Sequence, residues 1–323
     1  MRNGMSVLCA GILMMGGMVA SPVRAQQKAT TQPSLPLVDV KPFVPLNLAL
    51  EGGPESVYAP PTPPPENSGV NEGAVHFDLF VGYFTDYVYR GIELFEPPGA
   101  EDRANMQIDS KLSWDLGKFP HPFVAVFVNY ADSDPISSFQ EVRPTVGLEW
   151  NIRPLILSGG NTTYIYPDRN EFETSEAWGK IKIDDSYFLH REAPLLSPYV
   201  LVAYDYDLYN GWYVEAGVSH DFVIEDTGLT ITAQASAAYV HGMQLYTPNY
   251  GTPQYVPNKS RDDGVQHYQL GLIADYSLNK LLNFTDRYGD WSVQGFVYYT
   301  DGIDDNLSST TQIWGGAGIK FKY

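Results

Sequence analysis

The chain has 323 residues, with 20 Lys and Arg against 38 Asp and Glu, for a formal net charge of −18 at pH 7. So acidic a chain is a poor partner for nucleic acid, whose phosphates are bound through Lys and Arg. Its one cysteine, Cys9, rules out an internal disulfide and any zinc site built from several thiolates. The length permits one large β-domain or two ordinary domains. Aromatics make up 14%, with 23 Tyr, and there are 29 Gly. A mean hydropathy of −0.22 fits a wall of strands in which only alternate side chains are apolar.

Residues 1–25 read as a secretory signal peptide. Arg2 gives the positive start, an uncharged apolar run follows, and Val23-Arg24-Ala25 puts small residues at −3 and −1 of a cleavage site. Cys9 falls within the segment expected to be removed. Residues 26–73 are different material. Ten prolines lie between Pro33 and Pro65, and proline favours extended polyproline II over a sheet ladder. This stretch is expected to be a disordered or semi-rigid periplasmic lead. No later apolar run is long enough for a spanning helix. An exported chain without one spans a membrane only as a closed barrel.

From residue 74 the texture becomes alternation, the mark of strands with two unlike faces. A first strand is expected over 75–89. In the second, Ala104, Met106, Ile108, Leu112, Trp114 and Leu116 oppose Asn105, Gln107, Asp109, Lys111, Ser113 and Asp115. Residues 123–130 are apolar on both faces, so their inner side is not assigned. In the next, Val142, Val146, Leu148, Trp150 and Ile152 oppose Glu141, Arg143, Thr145, Glu149 and Asn151, with Pro144 expected to sit in a bulge. Weaker strands follow at 155–166 and 173–183, then strands at 199–206, 212–222, 229–239, 268–278 and 291–300. The last strand runs to the end. Thr311, Ile313, Ala317, Ile319, Phe321 and Tyr323 share one face, and Gln312, Trp314, Lys320 and Lys322 the other.

That gives an all-β chain forming a single antiparallel up-and-down transmembrane β-barrel of about 12 strands over 74–323. Most strands approach the 9–11 residues a tilted spanning strand needs. Trp114, Trp150, Tyr166, Trp212 and Tyr276 fall near strand ends, where aromatic girdles belong. Even parity puts both termini in the periplasm. Outer loops are expected near 93–103, 131–139, 167–172, 207–211, 242–264 and 301–310. Periplasmic turns are expected near 117–121, 152–154, 184–198, 223–228 and 279–290.

With the polar faces inward, the residues expected to line the pore are Asp78, Asp86, Arg90, Asp109, Lys111, Glu141, Arg143, Glu149, Glu215, Asp221, His267 and Asp275. Asp86 and Arg90 are four apart on one expected strand, about 13 Å apart on one face and too far to pair. The excess of carboxylates favours cations.

The first strand ends Gly82-Tyr83-Phe84-Thr85-Asp86-Tyr87-Val88-Tyr89-Arg90-Gly91. This resembles the opening strand of TorF-family porins, where a (S/T)DYxxRG pattern recurs. Tyr204-Asp205-Tyr206 and the run from Glu215 to His220 look like that family's second-half hairpin. The resemblance implies a barrel and a channel, without naming a solute.

The function expected is an outer-membrane porin for passive passage of small polar solutes or ions, with a mild cation preference. Its partners would be outer-membrane lipid, those solutes, and the barrel-assembly machinery through the strand from Thr311 to Tyr323. No cofactor is expected. The alternatives are a structural or adhesive barrel without transport and, less favoured, a barrel enzyme. Neighbours on a strand point to opposite faces, so Ser219 and His220 cannot act as a nucleophile and its base. The loop acids Asp301, Asp304 and Asp305 lack the spacing of a calcium loop.

Overall fold

The computed structural model describes residues 75–93, 104–131, 139–167, 173–247, 256–304 and 311–323. The expected signal peptide and proline-rich lead lie outside the described residues.

Twelve strands close into an antiparallel barrel. The wall begins with β1 (Val75–Phe84), which is followed by two short strands that are not part of it, β2 (Val88–Tyr89) and β3 (Ile92–Glu93). It continues with β4 (Asn105–Trp114), β5 (His121–Ala131), β6 (Phe139–Ile152), β7 (Leu155–Tyr164) and β8 (Thr174–Ile183). Then come β9 (Tyr199–Asp205), β10 (Trp212–Ile224), β11 (Leu229–Thr247), β12 (Val256–Ser277), β13 (Asp290–Gly302) and β14 (Thr311–Lys322). Each wall strand pairs with the next along the chain. β1 closes the ring by pairing with β4 on one side and β14 on the other. The end of the chain seals the seam, where Phe77 N–H donates to Tyr323 C=O at 2.7 Å and Tyr323 N–H donates to Phe77 C=O at 2.8 Å. A closed ladder leaves no unpaired edge.

The alternation read in the sequence becomes an inside and an outside. On β4, Asn105, Gln107, Asp109, Lys111 and Ser113 are buried, while the residues between them are less so. The outer face is apolar around the ring. Tyr83, Val146, Leu148, Ile181, Leu272 and Ile313 are all exposed, Ile313 by 73%. Soluble proteins rarely expose so continuous an apolar surface. Inside, two apolar clusters form. One joins Phe123, Trp178, Leu201, Tyr213 and Val240. The other joins Phe80, Phe84, Val88, Ile273, Phe296, Tyr298 and Trp314.

The structure settles the inner side of β5. His121, Phe123, Phe127 and Asn129 are buried there, and Val124, Val126 and Tyr130 are exposed.

Three expectations are corrected. First, β1 stops at Phe84 rather than at residue 89. Second, Pro144 makes no bulge. Its register with Val126 of β5 is unbroken, and so is the offset to β7, where Thr145 faces Thr162 and Val142 bridges Ile165. Val142 exchanges both backbone hydrogen bonds with Ile165 at 2.9 Å. Pro144, two residues on, therefore turns its missing N–H toward β7, and the ladder lapses there without slipping. Third, much of the loop expected at 242–264 is strand, since β11 runs to Thr247 and β12 starts at Val256.

Two periplasmic turns expected from the sequence hold short helices, α1 (Ser186–Leu189) and α2 (Leu278–Leu282). Among the described residues, no helix is long and apolar enough to cross a membrane.

Candidate functional site

At the end of β1 the chain leaves the wall. Thr85 is the last residue tied to it, with its N–H donating to Gly315 C=O at 2.8 Å and its Oγ1 accepting from Gly315 N–H at 3.0 Å. Beyond it, β2 and β3 form a small hairpin, with Val88 paired to Glu93 and Tyr89 to Ile92. Its two-residue turn is Arg90-Gly91, at φ +50° and +73°. Two successive positive φ values give the tight turn whose twist suits a two-residue hairpin. Asp86 and Arg90 are therefore not wall residues on one face, as the sequence suggested. Both belong to a segment folded into the barrel.

The segment reaches across the interior. Tyr87 donates to Glu141 Oε2 on β6 at 2.7 Å and stacks on Phe127 of β5, with ring centroids 6.1 Å apart. The Tyr89 and Tyr164 hydroxyls meet at 2.5 Å on β7. Arg90 forms an ion pair with Glu176 of β8 at 2.9 Å and lies 4.2 Å from the Tyr213 ring of β10. Gly91 presses on His267 of β12, where an added Cβ would fall 2.3 Å from the ring. β8 is the fifth strand from β1 one way round the wall and the seventh the other. The hairpin tip thus touches the wall opposite the strand it came from.

The charges beneath it are closely managed. Glu141 and Arg143 pair at 3.1 Å, and the Arg143 guanidinium packs 3.8 Å from the Phe127 ring and 4.8 Å from Tyr89. Lys111 holds Glu149 at 2.6 Å, and Lys320 holds Asp275 at 2.9 Å. Tyr164 donates to Glu176 at 2.6 Å. Tyr199 and Tyr213 donate to the two oxygens of Glu215 at 2.6 and 2.7 Å. Thr232 donates to Asp221 at 2.6 Å. Charges this deep persist only when paired or hydrogen-bonded.

Of the residues singled out in the sequence, Asp86, Asp109, Lys111, Glu141, Arg143, Glu149 and His267 are buried. Asp78, Arg90, Glu215, Asp221 and Asp275 are half-buried. The structure gathers Arg90, Arg143, Glu141 and His267 around the hairpin. It leaves Asp221, Asp275 and Glu149 on separate stretches of wall.

Sequence reasoning missed Glu176, Lys180, Asp205, Tyr164 and Tyr213. With Asp86 and Arg90 expected on the inner face of one strand, Tyr87 and Tyr89 between them would turn outward, yet both point inward, to Glu141 and Tyr164. For Glu176 and Lys180 the signal was the alternation of Glu176, Trp178 and Lys180 against Ala177 and Gly179. For the tyrosines it was the Arg-Gly pair, which suits a turn better than a strand interior. Among the described residues, no group of His, Cys, Asp or Glu is placed to hold a metal ion.

Some known structures are weakly similar to this chain. A KdgM porin solved in complex with disordered oligogalacturonate is similar over 76% of this chain and 99% of its own, at 6% identity and a TM-score of 0.41. An outer membrane channel from Pseudomonas putida F1 is similar over 81% of this chain and 100% of its own, at 9% identity and a TM-score of 0.46. A mutant porin of Rh. blastica is similar over 77% and 99%, at 9% identity and a TM-score of 0.30. No family model matches the chain. No curated protein matches it in sequence.

Proposed function

We propose that this chain is a narrow outer-membrane channel for small polar solutes or ions, with a mild preference for cations. One observation carries the reading. A sealed wall is apolar outside and lined inside with paired charges and tyrosine hydroxyls, and a hairpin from its own first strand crosses the interior. Hydrocarbon suits that exterior, and polar solute suits that interior. The acidic residues expected to line the pore support cations over anions. TorF-family membership is part of the proposal. The motif that suggested it, from Thr85 to Gly91, builds the interior hairpin itself. So is assembly through β14, whose outer face carries the exposed Ile313 and Ile319.

Reversal potentials in planar bilayers under a KCl gradient test the proposal. A potential toward that of K⁺ is expected. Clear anion preference would remove the selectivity, and absence of conductance would remove the channel.

The hairpin across the interior favours a second reading, a structural barrel without transport. Silence in bilayers from protein that is fully folded would decide for it. An enzyme is not proposed. Ser219 is buried, and His220 Nδ1 lies 2.7 Å from Leu195 C=O. Ester- and peptide-hydrolysis assays on folded protein are expected to show no turnover.

A further inference from the structure

The wall begins and ends on one rim of the barrel. β1 starts there at Val75 and β14 ends there at Lys322. Because neighbouring strands are antiparallel, the β4–β5, β6–β7, β8–β9, β10–β11 and β12–β13 connections lie on that rim too. Three of them carry exposed large apolar side chains. Leu116 and Phe119 stand on the β4–β5 turn, Phe188 and Leu189 on α1, and Phe284 and Tyr288 just after α2. Phe119 is 71% exposed, Phe188 60% and Phe284 56%. The β10–β11 turn instead exposes Glu225 and Asp226.

Each of the three turns leans on the outer face of the wall. Trp150 alternates with the buried Glu149 and so points outward, and its Nε1–H donates to Lys118 C=O at 3.0 Å. His220 alternates with the buried Ser219, and its Nδ1 lies 2.7 Å from Leu195 C=O, in the segment after α1. Phe321 alternates with the buried Lys320, and its ring closes on Gly289, where an added Cβ would fall 2.4 Å away. Trp291 and Phe77 extend this outward aromatic group, with ring centroids 4.5 and 6.3 Å from that of Phe321. The turns are thus continuous with the apolar exterior.

Their backbones are tied down by their own side chains. Leu116 N–H donates to His121 Nδ1 at 3.0 Å. The Asp185 carboxylate accepts from the N–H groups of Leu195 and Leu196, both at 2.8 Å. The buried Asn279 amide donates to Gly289 C=O at 2.9 Å and accepts from Trp291 N–H at 2.8 Å. Backbone satisfied in this way can sit at an apolar boundary without stranding polar groups.

In ring order the three turns lie four strands apart, at thirds of the twelve-stranded wall. A single docked protein would have to straddle the whole rim to cover them, whereas lipid surrounds a barrel on every side. Amphipathic segments settle where headgroups meet acyl chains, with their apolar side chains about 5–10 Å deep.

We infer that these three turns form a collar seated in phospholipid, at the headgroup–acyl boundary of the leaflet nearest the rim, and that the collar fixes how deep the barrel sits. The inference rests on the membrane reading above. The apolar side chains of the turns enter the acyl region, and the tied backbones stay against the wall.

The test uses the full chain with Cys9→Ser, folded into phospholipid vesicles. Single cysteines are placed by Phe119→Cys, Phe188→Cys or Phe284→Cys, with Val146→Cys and Glu225→Cys for comparison. Each carries a nitroxide, and its relaxation by oxygen, which enters lipid, is compared with that by a nickel chelate, which stays in water. The three turn labels are expected about 5–10 Å below the phosphates. Val146→Cys is expected deeper and Glu225→Cys in water. A wet turn label beside a lipid-immersed Val146→Cys overturns the collar and leaves the membrane reading standing. A wet Val146→Cys removes the membrane reading, and the collar with it. Shielding of a turn label from both agents, the mark of a second copy or another protein, overturns lipid as the occupant. Leu116→Cys, Leu189→Cys and Tyr288→Cys read the same three turns where a Phe variant fails to fold.

Discussion

Gly91 shows how much one residue can determine. Its φ of +73° and the ring of His267 behind it both exclude a side chain. Ala at this position would meet strain of about 1 kcal/mol from the backbone alone, before any clash. Gly91→Ala is therefore expected to loosen the hairpin while leaving the wall closed. Single-channel recordings should show larger, noisier openings, whereas strand content by circular dichroism stays unchanged. Glu176 acts from the opposite wall. It is the partner of Arg90 in a pair with side-chain exposures of 11% and 1%. Removing one member of a buried pair typically costs about 3–5 kcal/mol, because the remaining charge is stranded. Arg90 keeps the faces of Tyr89 and Tyr213, so the loss in Glu176→Gln should fall toward the low end. Its expected signature is likewise increased open-channel noise, with Glu176→Asp showing a smaller increase.

At the scale of the element, β6 and β1 are instructive for different reasons. Pro144 leaves the β6–β7 ladder without one donor, while the ladder to β5 runs on. Pro144→Thr restores an N–H on the side of β7 at an otherwise strand-like position. It is expected to raise stability by about 0.5–1.5 kcal/mol, the net value of one backbone hydrogen bond. A higher urea midpoint for the folded barrel would show it. β1 carries the larger lesson. Its alternation continues through Tyr87 and Tyr89 without a break in pattern, so periodicity alone extends the strand. What ends it is the Arg-Gly turn and the room inside the ring for a second pass of chain. The alternation of β4, by contrast, is complete in the sequence, and its polar face is the inner face.

For the whole molecule, the claim is that the outer surface meets hydrocarbon. Val146 lies within β6 on that surface and is 58% exposed. Val146→Arg should cost about 2–4 kcal/mol if the site lies near the bilayer midplane. Urea titration of folding into lipid vesicles measures it, and a cost near zero would argue that this face is wet. The inward expectations stand differently. Of the residues expected to line a pore, Asp86, Asp109, Lys111, Glu141, Arg143, Glu149 and His267 are buried, and Asp78, Arg90, Glu215, Asp221 and Asp275 are half-buried. Whether those residues select ions is the proposal that bilayer recordings decide.

The alternation of side chains by itself determined that this chain is a ring of antiparallel strands, and which face of the cleanly alternating strands such as β4 turns inward, because a period of two leaves no other way to separate apolar from polar groups. Only the tertiary structure decided that the stretch from Thr85 to Glu93 abandons the wall and crosses the interior. That choice depends on contacts with Glu141, Tyr164, Glu176 and His267, between 54 and 176 positions away along the chain, and no local pattern encodes partners so distant.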